Sequence, residues 1–248
     1  MTAWIYSVLL FSLRVAPVFA FAPPFTLVRT PVLFRVLFAV GIAACVVGSA
    51  PVAATAAAAG AGTLATLAVR ELLLGAIFVL GFQLSFGALQ FAGRTVDVQA
   101  GFGMAMLLDP STRTQMPLVG TILAYAAGAI FFAADGHVEL LRILAASLQA
   151  IPIGGHDFPT SLEPLLAFVS IVFLTAMGVV GGTVLALFLA DLAIALLSRT
   201  VPQMNVLVLG FQVKTLLLLV GLPVTLGATG ALLARLMRMT VEMVPGLT

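Results

Sequence analysis

The stretch that decides the fold is QLSFGALQFAGRTVDVQAGFGMAMLLDPSTRTQM, residues Gln83–Met116. At about 100° per residue, its polar residues and glycines fall on one narrow face of a helix. We call this face the polar stripe; it consists of Gln83, Gly87, Gln90, Arg94, Asp97 and Gly101. Polar groups at membrane depth are costly unless they face protein or water. The stripe therefore predicts the wall of an internal path or a contact with another subunit. The simpler alternative is a helix–helix interface of small and polar residues.

The polar stripe leads into a segment that combines glycine and methionine. The segment contains Gly101, Phe102, Gly103, Met104 and Met106, and it is followed by Asp109-Pro110. Glycine gives the backbone conformational freedom, and methionine is a flexible apolar side chain. The composition predicts a movable element beside the stripe.

The composition of the chain is that of an integral membrane protein. Of its 248 residues, 62% are hydrophobic and only 8% are charged, whereas soluble domains carry about 25% charged residues. The length suits about six helical spans of ~20 residues each. No run of basic residues is present, so nucleic acid is not expected as a partner. Cys45 is the only cysteine, which excludes an intramolecular disulfide.

The apolar runs predict a single all-α domain over residues 1–248, with six spans in hairpins and one amphipathic helix. The spans cover about Trp4–Phe21, Arg35–Ala50, Leu67–Asp97, Pro117–Ala134, Pro164–Ala190 and Leu207–Leu233, and the amphipathic helix covers His137–Ile151. The leucines of that helix recur at helical spacing, which predicts that it lies at an interface or on a partner. The region Val52–Thr66 is left open as a loop or a hairpin tip.

Three ionisable residues lie within or at the ends of the apolar spans: Glu71, Asp191 and Lys214. Such groups are functional candidates by default. The alternative is a structural ion pair, for example between Asp191 and Lys214. Arg94 and Asp97 are three residues apart and could pair along their helix.

The residues give no sign of catalysis or of a cofactor. The two histidines, His137 and His156, with Glu139 and Asp157 nearby, do not form a metal-ligand pattern. Gly101-Phe102-Gly103 lacks the third spaced glycine of a dinucleotide site and follows no strand. We expect neither an enzyme nor a bound metal or cofactor.

Several short motifs, taken in order, resemble the FliR/SctT export-gate family of type III secretion systems. They are Arg14–Phe19 (RVAPVF), Arg70-Glu71, Gln90–Gly93 (QFAG), Asp97–Ala105 (DVQAGFGMA) with Asp109-Pro110, Gly136-His137, Ser147–Pro152 (SLQAIP), Pro202–Asn205 (PQMN) and Gly210–Lys214 (GFQVK). They cover nearly the whole chain. Phe211-Gln212 departs from the family, which often has a proline before the lysine. The Gly-His and SLQAIP motifs favour the flagellar branch, with the injectisome SctT-type subunit as the alternative.

This resemblance implies a subunit of a helical hetero-oligomeric export gate in the bacterial inner membrane, within the flagellar basal body. FliP and FliQ would be its direct partners, FlhB and FlhA further partners, and unfolded export substrates its cargo. It also implies a pore plug at Gly101–Gln115, with Phe102, Met104 and Met106 as the obstructing side chains. A secondary transporter that uses Glu71, Asp191 and Lys214 is the competing function. It predicts an internal repeat, and the sequence has none.

Overall fold

The computed structural model describes residues 2–49, 61–102, 117–153, 163–201, 203 and 205–246. These residues form seven helices and no strand. The helices are α1 (Thr2–Phe21), α2 (Val32–Ser49), α3 (Ala61–Ala100), α4 (Leu118–Ala133), α5 (Gly136–Ala150), α6 (Glu163–Thr200) and α7 (Val206–Gly246). The all-α class is confirmed.

Five of these helices are long and apolar enough to cross a membrane, and a sixth span results if α4 and α5 count as one broken span. The predicted number of about six spans therefore agrees with the structure. The third helix is longer than a single span requires, since α3 has 40 residues. Its helical part begins at Ala61, so residues 61–66 of the region left open are helical. Residues 52–60 lie outside the described part of the chain.

The residue contacts divide the chain into two compact units. Unit 1 comprises Met1–Leu84, Phe131–Phe168 and Met237–Thr248, and unit 2 comprises Ser85–Ile130 and Val169–Leu236. The long helices α3, α6 and α7 each contribute to both units.

The interior of unit 1 contains a cluster of phenylalanine rings together with the apolar side of α5. Phe25 contacts Phe19, Phe131 and Phe132 at centroid distances of 4.7 to 6.1 Å. The α5 residues Leu140, Leu144 and Leu148 are buried. The amphipathic pattern of α5 was read correctly, but its expected place at an interface or on a partner was wrong. The chain itself covers the apolar side of α5, because that side completes the hydrophobic interior of unit 1.

In unit 2, α3 and α4 cross with their backbones in direct proximity. A Cβ atom added to Gly93 would lie 2.3 Å from the Cα of Gly120. A Cβ atom added to Gly120 would lie 2.7 Å from the carbonyl oxygen of Gln90. No other residue type fits at this crossing, since real Cβ atoms do not approach backbone so closely.

Elsewhere in unit 2, a pair of threonine hydroxyls joins α6 and α7. The Oγ1 atoms of Thr183 and Thr225 are 2.9 Å apart. Few residues of these two helices are buried by the chain, namely 22% of those in the span of α6 and 11% of those in the span of α7. The apolar side chains on them must therefore be covered by lipid or by other subunits.

Candidate functional site

Glu71 forms a buried ion pair with Arg14 in unit 1. Arg14 Nε donates to Glu71 Oε2 at 2.7 Å, and Arg14 Nη2 donates to Oε1 at 3.0 Å. Neither side chain is accessible to solvent. The prediction that Glu71 lines a path or a subunit interface is therefore wrong, because both carboxylate oxygens are used inside the chain.

Arg14 satisfies all of its donors within unit 1. Besides Glu71, its Nη1 donates to the carbonyl and hydroxyl oxygens of Ser147 at 2.9 and 3.2 Å. Its Nη2 also donates to the carbonyl oxygen of Ile151 at 3.0 Å. A guanidinium has five N–H groups, and each has an acceptor here. These carbonyls lie at the C-terminal end of α5, so Arg14 connects α1, α3 and α5. Its positive charge also interacts favourably with the partial negative charge at that helix end.

The sequence analysis placed Arg14 in the Arg14–Phe19 motif and assigned it no partner. The sequence did contain a sign of this ion pair, since a cation lies within the apolar helix α1 and an anion lies near the start of the apolar helix α3. Two opposite charges in neighbouring apolar helices favour a buried pair. The motifs Arg14–Phe19, Arg70-Glu71 and Ser147–Pro152 thus meet at one point of the structure.

The polar stripe divides into an exposed part and a buried part. Gln83, Gly87, Gln90 and Arg94 are exposed, whereas Asp97 is buried. The Nε2 of Gln83 donates to the carbonyl oxygen of Phe21 at 2.8 Å. The chain therefore leaves most of the stripe uncovered, along a helix whose apolar composition suits a membrane span.

Asp97 is used within unit 2 as a cap for α4. The backbone N–H of Val119 lies 3.0 and 3.1 Å from its two carboxylate oxygens. The first N–H groups of a helix lack intrahelical acceptors, and an anion there also complements the helix dipole. The suggested pairing with Arg94 is wrong, because the carboxylate of Asp97 points to α4 while Arg94 is exposed.

Asp191 and Lys214 form an ion pair, as the structural alternative predicted. Lys214 Nζ lies 2.5 Å from Asp191 Oδ1, and the side chains are 16% and 40% exposed, respectively. Gln99 contacts both residues: its Nε2 donates to Asp191 Oδ2 at 3.0 Å, and its carbonyl oxygen accepts from Lys214 Nζ at 3.1 Å. We call these three residues the polar ring. Gln99 was not among the predicted site residues.

The polar ring lies next to the point where α3 ends. Gly101 has a φ of +89°, and its N–H donates to the carbonyl oxygen of Val98 at 3.1 Å. A left-handed residue directly after a helix is typical of glycine. The ring of Phe102 contacts that of Phe211, with centroids 6.0 Å apart. The other predicted plug residues lie outside the described part of the chain: Gly103, Met104, Met106, Asp109 and Pro110.

A cavity of about 900 Å³ opens beside this point in unit 2. Gly101, Ile194, Gly210 and Phe211 contribute to its largely apolar wall, and Asp191 and Lys214 supply charges. The charges belong to a pair whose polar atoms already bind one another. The site therefore combines an exposed polar stripe, a ring of three fixed polar groups, and a glycine turn beside open space.

Comparison with protein families shows that residues 5–240 match the model of the bacterial export proteins, family 1. The chain belongs to this family. The match covers nearly the entire sequence, so both structural units lie within it. This is a family of membrane proteins in bacterial export, which agrees with the apolar helices described above.

Relatives of this export protein include flagellar biosynthetic proteins and a Yop proteins translocation protein. The flagellar biosynthetic protein FliR of Escherichia coli K12 is 30% identical over 148 residues, which is 58% of this chain and 56% of the relative. FliR of Bacillus subtilis 168 is 30% identical over 181 residues, or 71% and 70% of the two chains. Yop proteins translocation protein T of Yersinia pestis is 33% identical over 157 residues, or 62% and 60%. The aligned part thus spans little more than half of the E. coli protein.

Proposed function

We propose that this export protein is a subunit of a type III protein export gate, and that it forms the portal for unfolded substrates together with FliP and FliQ. Membership in the bacterial export family and similarity to flagellar FliR proteins support this proposal. FlhB and FlhA would be the neighbours in the export apparatus. The site of action would be the inner membrane at the flagellar basal body.

The observation that carries the proposal is the exposure of Gln90 and Arg94 within the apolar helix α3. An amide and a guanidinium facing hydrocarbon would be strongly unfavourable. They become acceptable when they face a sister subunit or a water-filled path. The exposed part of the polar stripe is thus the surface on which FliP, FliQ or the exported chain would act.

The uncovered surfaces of α6 and α7 support an assembly with other membrane subunits. Added Cβ atoms at Gly178, Gly181 and Gly182 of α6 would meet nothing within 4 Å. Glycines on a membrane helix allow another backbone to approach closely. A sister helix on this face would make use of space that the chain itself leaves empty.

The closing element of the gate would be the segment Gly101–Gln115, with Phe102, Met104 and Met106 as the side chains that obstruct the path. Methionine can seal around a passing polypeptide without fixed shape complementarity. Deletion of Ser111–Arg113, or replacement of Phe102 and Met104 by glycine, should increase ion leakage through the assembled complex. Unchanged conductance would contradict the assignment of a plug.

Co-expression with the sister subunits tests the whole proposal. A photo-crosslinking amino acid at Gln90 should capture one of two other small membrane proteins, and one at Met104 should capture a sister subunit or a stalled export substrate. A chain that purifies as a complete homo-oligomer, with crosslinks only to lipid, would contradict the proposal.

The flagellar branch is preferred within this proposal because of the Gly136-His137 and Ser147–Pro152 motifs. Complementation separates the two branches: the chain should restore motility to a strain that lacks FliR and should not restore secretion to one that lacks the injectisome counterpart. The transporter alternative loses support, because Glu71 and Asp191 have both carboxylate oxygens occupied by partners in the chain.

A further inference from the structure

The cavity of about 900 Å³ in unit 2 is bordered mainly by the C-terminal part of α6 and the N-terminal part of α7. Its α6 residues recur at i, i+3, i+4 and i+7, which is the spacing of one helix face. Gly210 of α7 faces Ile194 of α6, since an added Cβ would lie 3.7 Å from Ile194 Cδ1. The absent side chain of Gly210 therefore helps to keep a cleft open between the two helices. The α6 wall consists of Asp191, Ile194, Ala195 and Ser198.

The size and the lining of this cavity suit an apolar ligand. Small-molecule sites measure about 300–1,000 Å³ and have mainly hydrophobic walls. Leu207 and Phe211 border the cavity and are 69% and 49% exposed. Both walls belong to helices that are long and apolar enough to cross a membrane. The surroundings of the cavity can therefore supply hydrocarbon.

The depth of the cavity corresponds to one leaflet of a bilayer. Asp191 lies nine residues before Thr200, the last residue of α6, which is about 14 Å along the helix at ~1.5 Å per residue. Half of a hydrocarbon core measures about 15 Å. With the connection between α6 and α7 at the lipid headgroups, the polar ring forms the floor of the cavity. The ring residues bind one another, so an acyl chain above them leaves no charge unpaired.

Arg199 supplies a positive charge at the other end of the cavity. It is exposed and follows Ser198, which borders the cavity. Among the residues that the structure describes, Arg199 has no ion-pair partner, and the sequence has no acidic residue between Asp191 and Glu242. A guanidinium can bind a phosphate through two parallel N–H bonds. The position of Arg199 therefore fits a lipid phosphate.

We propose that this cavity is a phospholipid-binding site, in which one acyl chain lies between α6 and α7 and Arg199 binds the phosphate. An anionic phospholipid binds better than a zwitterionic one, because the connection between α6 and α7 has no carboxylate to accept an ammonium group. The inference goes beyond the proposed function and does not depend on it, since it concerns a ligand of the chain itself.

The lipid site and the glycine face of α6 lie on different sides of this helix. At about 100° per residue, Gly178 and Gly182 fall on the side away from Asp191 and Ala195. Space for a sister helix beside these glycines is therefore separate from the cavity. A lipid in the cavity is compatible with assembly.

Photolabelling of the full chain in nanodiscs tests the place of the acyl chain. The nanodiscs contain phosphatidylcholine and a minor fraction of phosphatidylglycerol with a photoactivatable group on one acyl chain. We expect label in the peptides of residues 191–198 and 206–214. Ala195→Trp fills the cavity and should lower this labelling about tenfold. Ala193→Trp is the matched control, since Ala193 is exposed on the same helix and does not border the cavity. Equal labelling of the two variants would overturn the inference.

Native mass spectrometry of the full chain tests the headgroup. The wild-type chain should retain phosphatidylglycerol in preference to phosphatidylcholine, and Arg199→Gln should lower retention of phosphatidylglycerol about tenfold, as loss of a charge-assisted hydrogen bond implies. Arg199→Lys keeps the charge and should bind with intermediate strength. Arg29→Gln removes an exposed arginine from the connection between α1 and α2 and is the control. Equal losses in the Arg29 and Arg199 glutamine variants would overturn the phosphate site. Because Arg199 is exposed, this test stands even if Ala195→Trp does not fold.

A photo-crosslinking amino acid at Ala195 in intact cells identifies the occupant of the cavity. Adducts with phospholipid would support the inference. Capture of a sister membrane protein, of a second copy, or of residues 103–116 of the same chain would overturn it. Failure of the chain to co-purify with sister subunits would contradict the proposed function and leave the lipid site in place.

Discussion

Arg14 and Glu71 form a bidentate ion pair in which neither side chain is accessible to solvent. The pair joins the first and third helices, and Arg14 extends the connection to the C-terminal end of α5 through Ser147 and Ile151. Gly75 lets the two helices meet, since an added Cβ would lie 2.6 Å from the carbonyl oxygen of Arg14. The interior of unit 1 is therefore organised around a charge pair as well as an apolar cluster.

Removal of one partner of this pair should be severe. We expect Glu71→Leu to destabilise the protein by about 3–5 kcal/mol, because it leaves Arg14 buried without a counter-charge. The double variant Arg14→Met/Glu71→Leu should be more stable than either single variant. Denaturant unfolding in detergent micelles measures both effects. Glu139→Gln, in an exposed pair with Arg142, is the control and should change little. A double variant less stable than both singles would contradict this account.

The crossing of α3 and α4 should not accept a side chain at Gly93. We expect Gly93→Ala to cost about 1–3 kcal/mol, because the added methyl would overlap the backbone of Gly120 and force the helices apart. Gly178→Ala is the matched control, since nothing lies within 4 Å of its added Cβ, and it should stabilise its helix by about 0.5–1 kcal/mol. Thermal unfolding of the chain in detergent compares the two. Equal changes in stability for Gly93→Ala and Gly178→Ala would contradict the close backbone contact between α3 and α4.

Asp97 and Arg94 both belong to the polar stripe, but we expect substitution of Asp97 to affect the stability of the chain and substitution of Arg94 to affect assembly with other subunits. Asp97→Ala should destabilise the chain by about 0.5–2 kcal/mol, because the N–H of Val119 loses its cap. Arg94→Met should leave the stability of the isolated chain nearly unchanged but reduce the yield of co-purified sister subunits. Unfolding in detergent and quantitative pull-down separate the two effects. Normal assembly of the Arg94 variant would remove this residue from the interface.

The turn before α5 should accept at position 135 only residues that tolerate a left-handed backbone conformation. Asp135 has a φ of 54°, in the left-handed region, and its carbonyl oxygen accepts from the N–H groups of Val138 and Glu139. We expect Asp135→Val to cost about 1–2 kcal/mol, because β-branched residues are disfavoured in this conformation. Asp135→Gly should be tolerated, since glycine adopts it freely. Thermal unfolding of the two variants tests this, and a Val variant as stable as the Gly variant would contradict it.

The sequence by itself determined the class of the protein. Its apolar runs and low charge predicted a helical membrane protein, and helical periodicity correctly predicted the leucine face of α5. Periodicity works here because these leucines belong to a single helix. The pairing of Asp191 with Lys214 was also within reach, because two opposite charges in apolar helices have few other stable arrangements.

Only the tertiary structure decided which polar groups the chain uses for itself. Glu71 and Asp97 looked like path residues in the sequence, but Arg14 and the N-terminus of α4 occupy them. Gln99 gained a role because it meets two other helices at the end of α3. A contact with a residue far away in the sequence does not show in the periodicity of a single helix. Whether a buried charge is satisfied depends on distances between helices, which the order of residues along one helix does not contain.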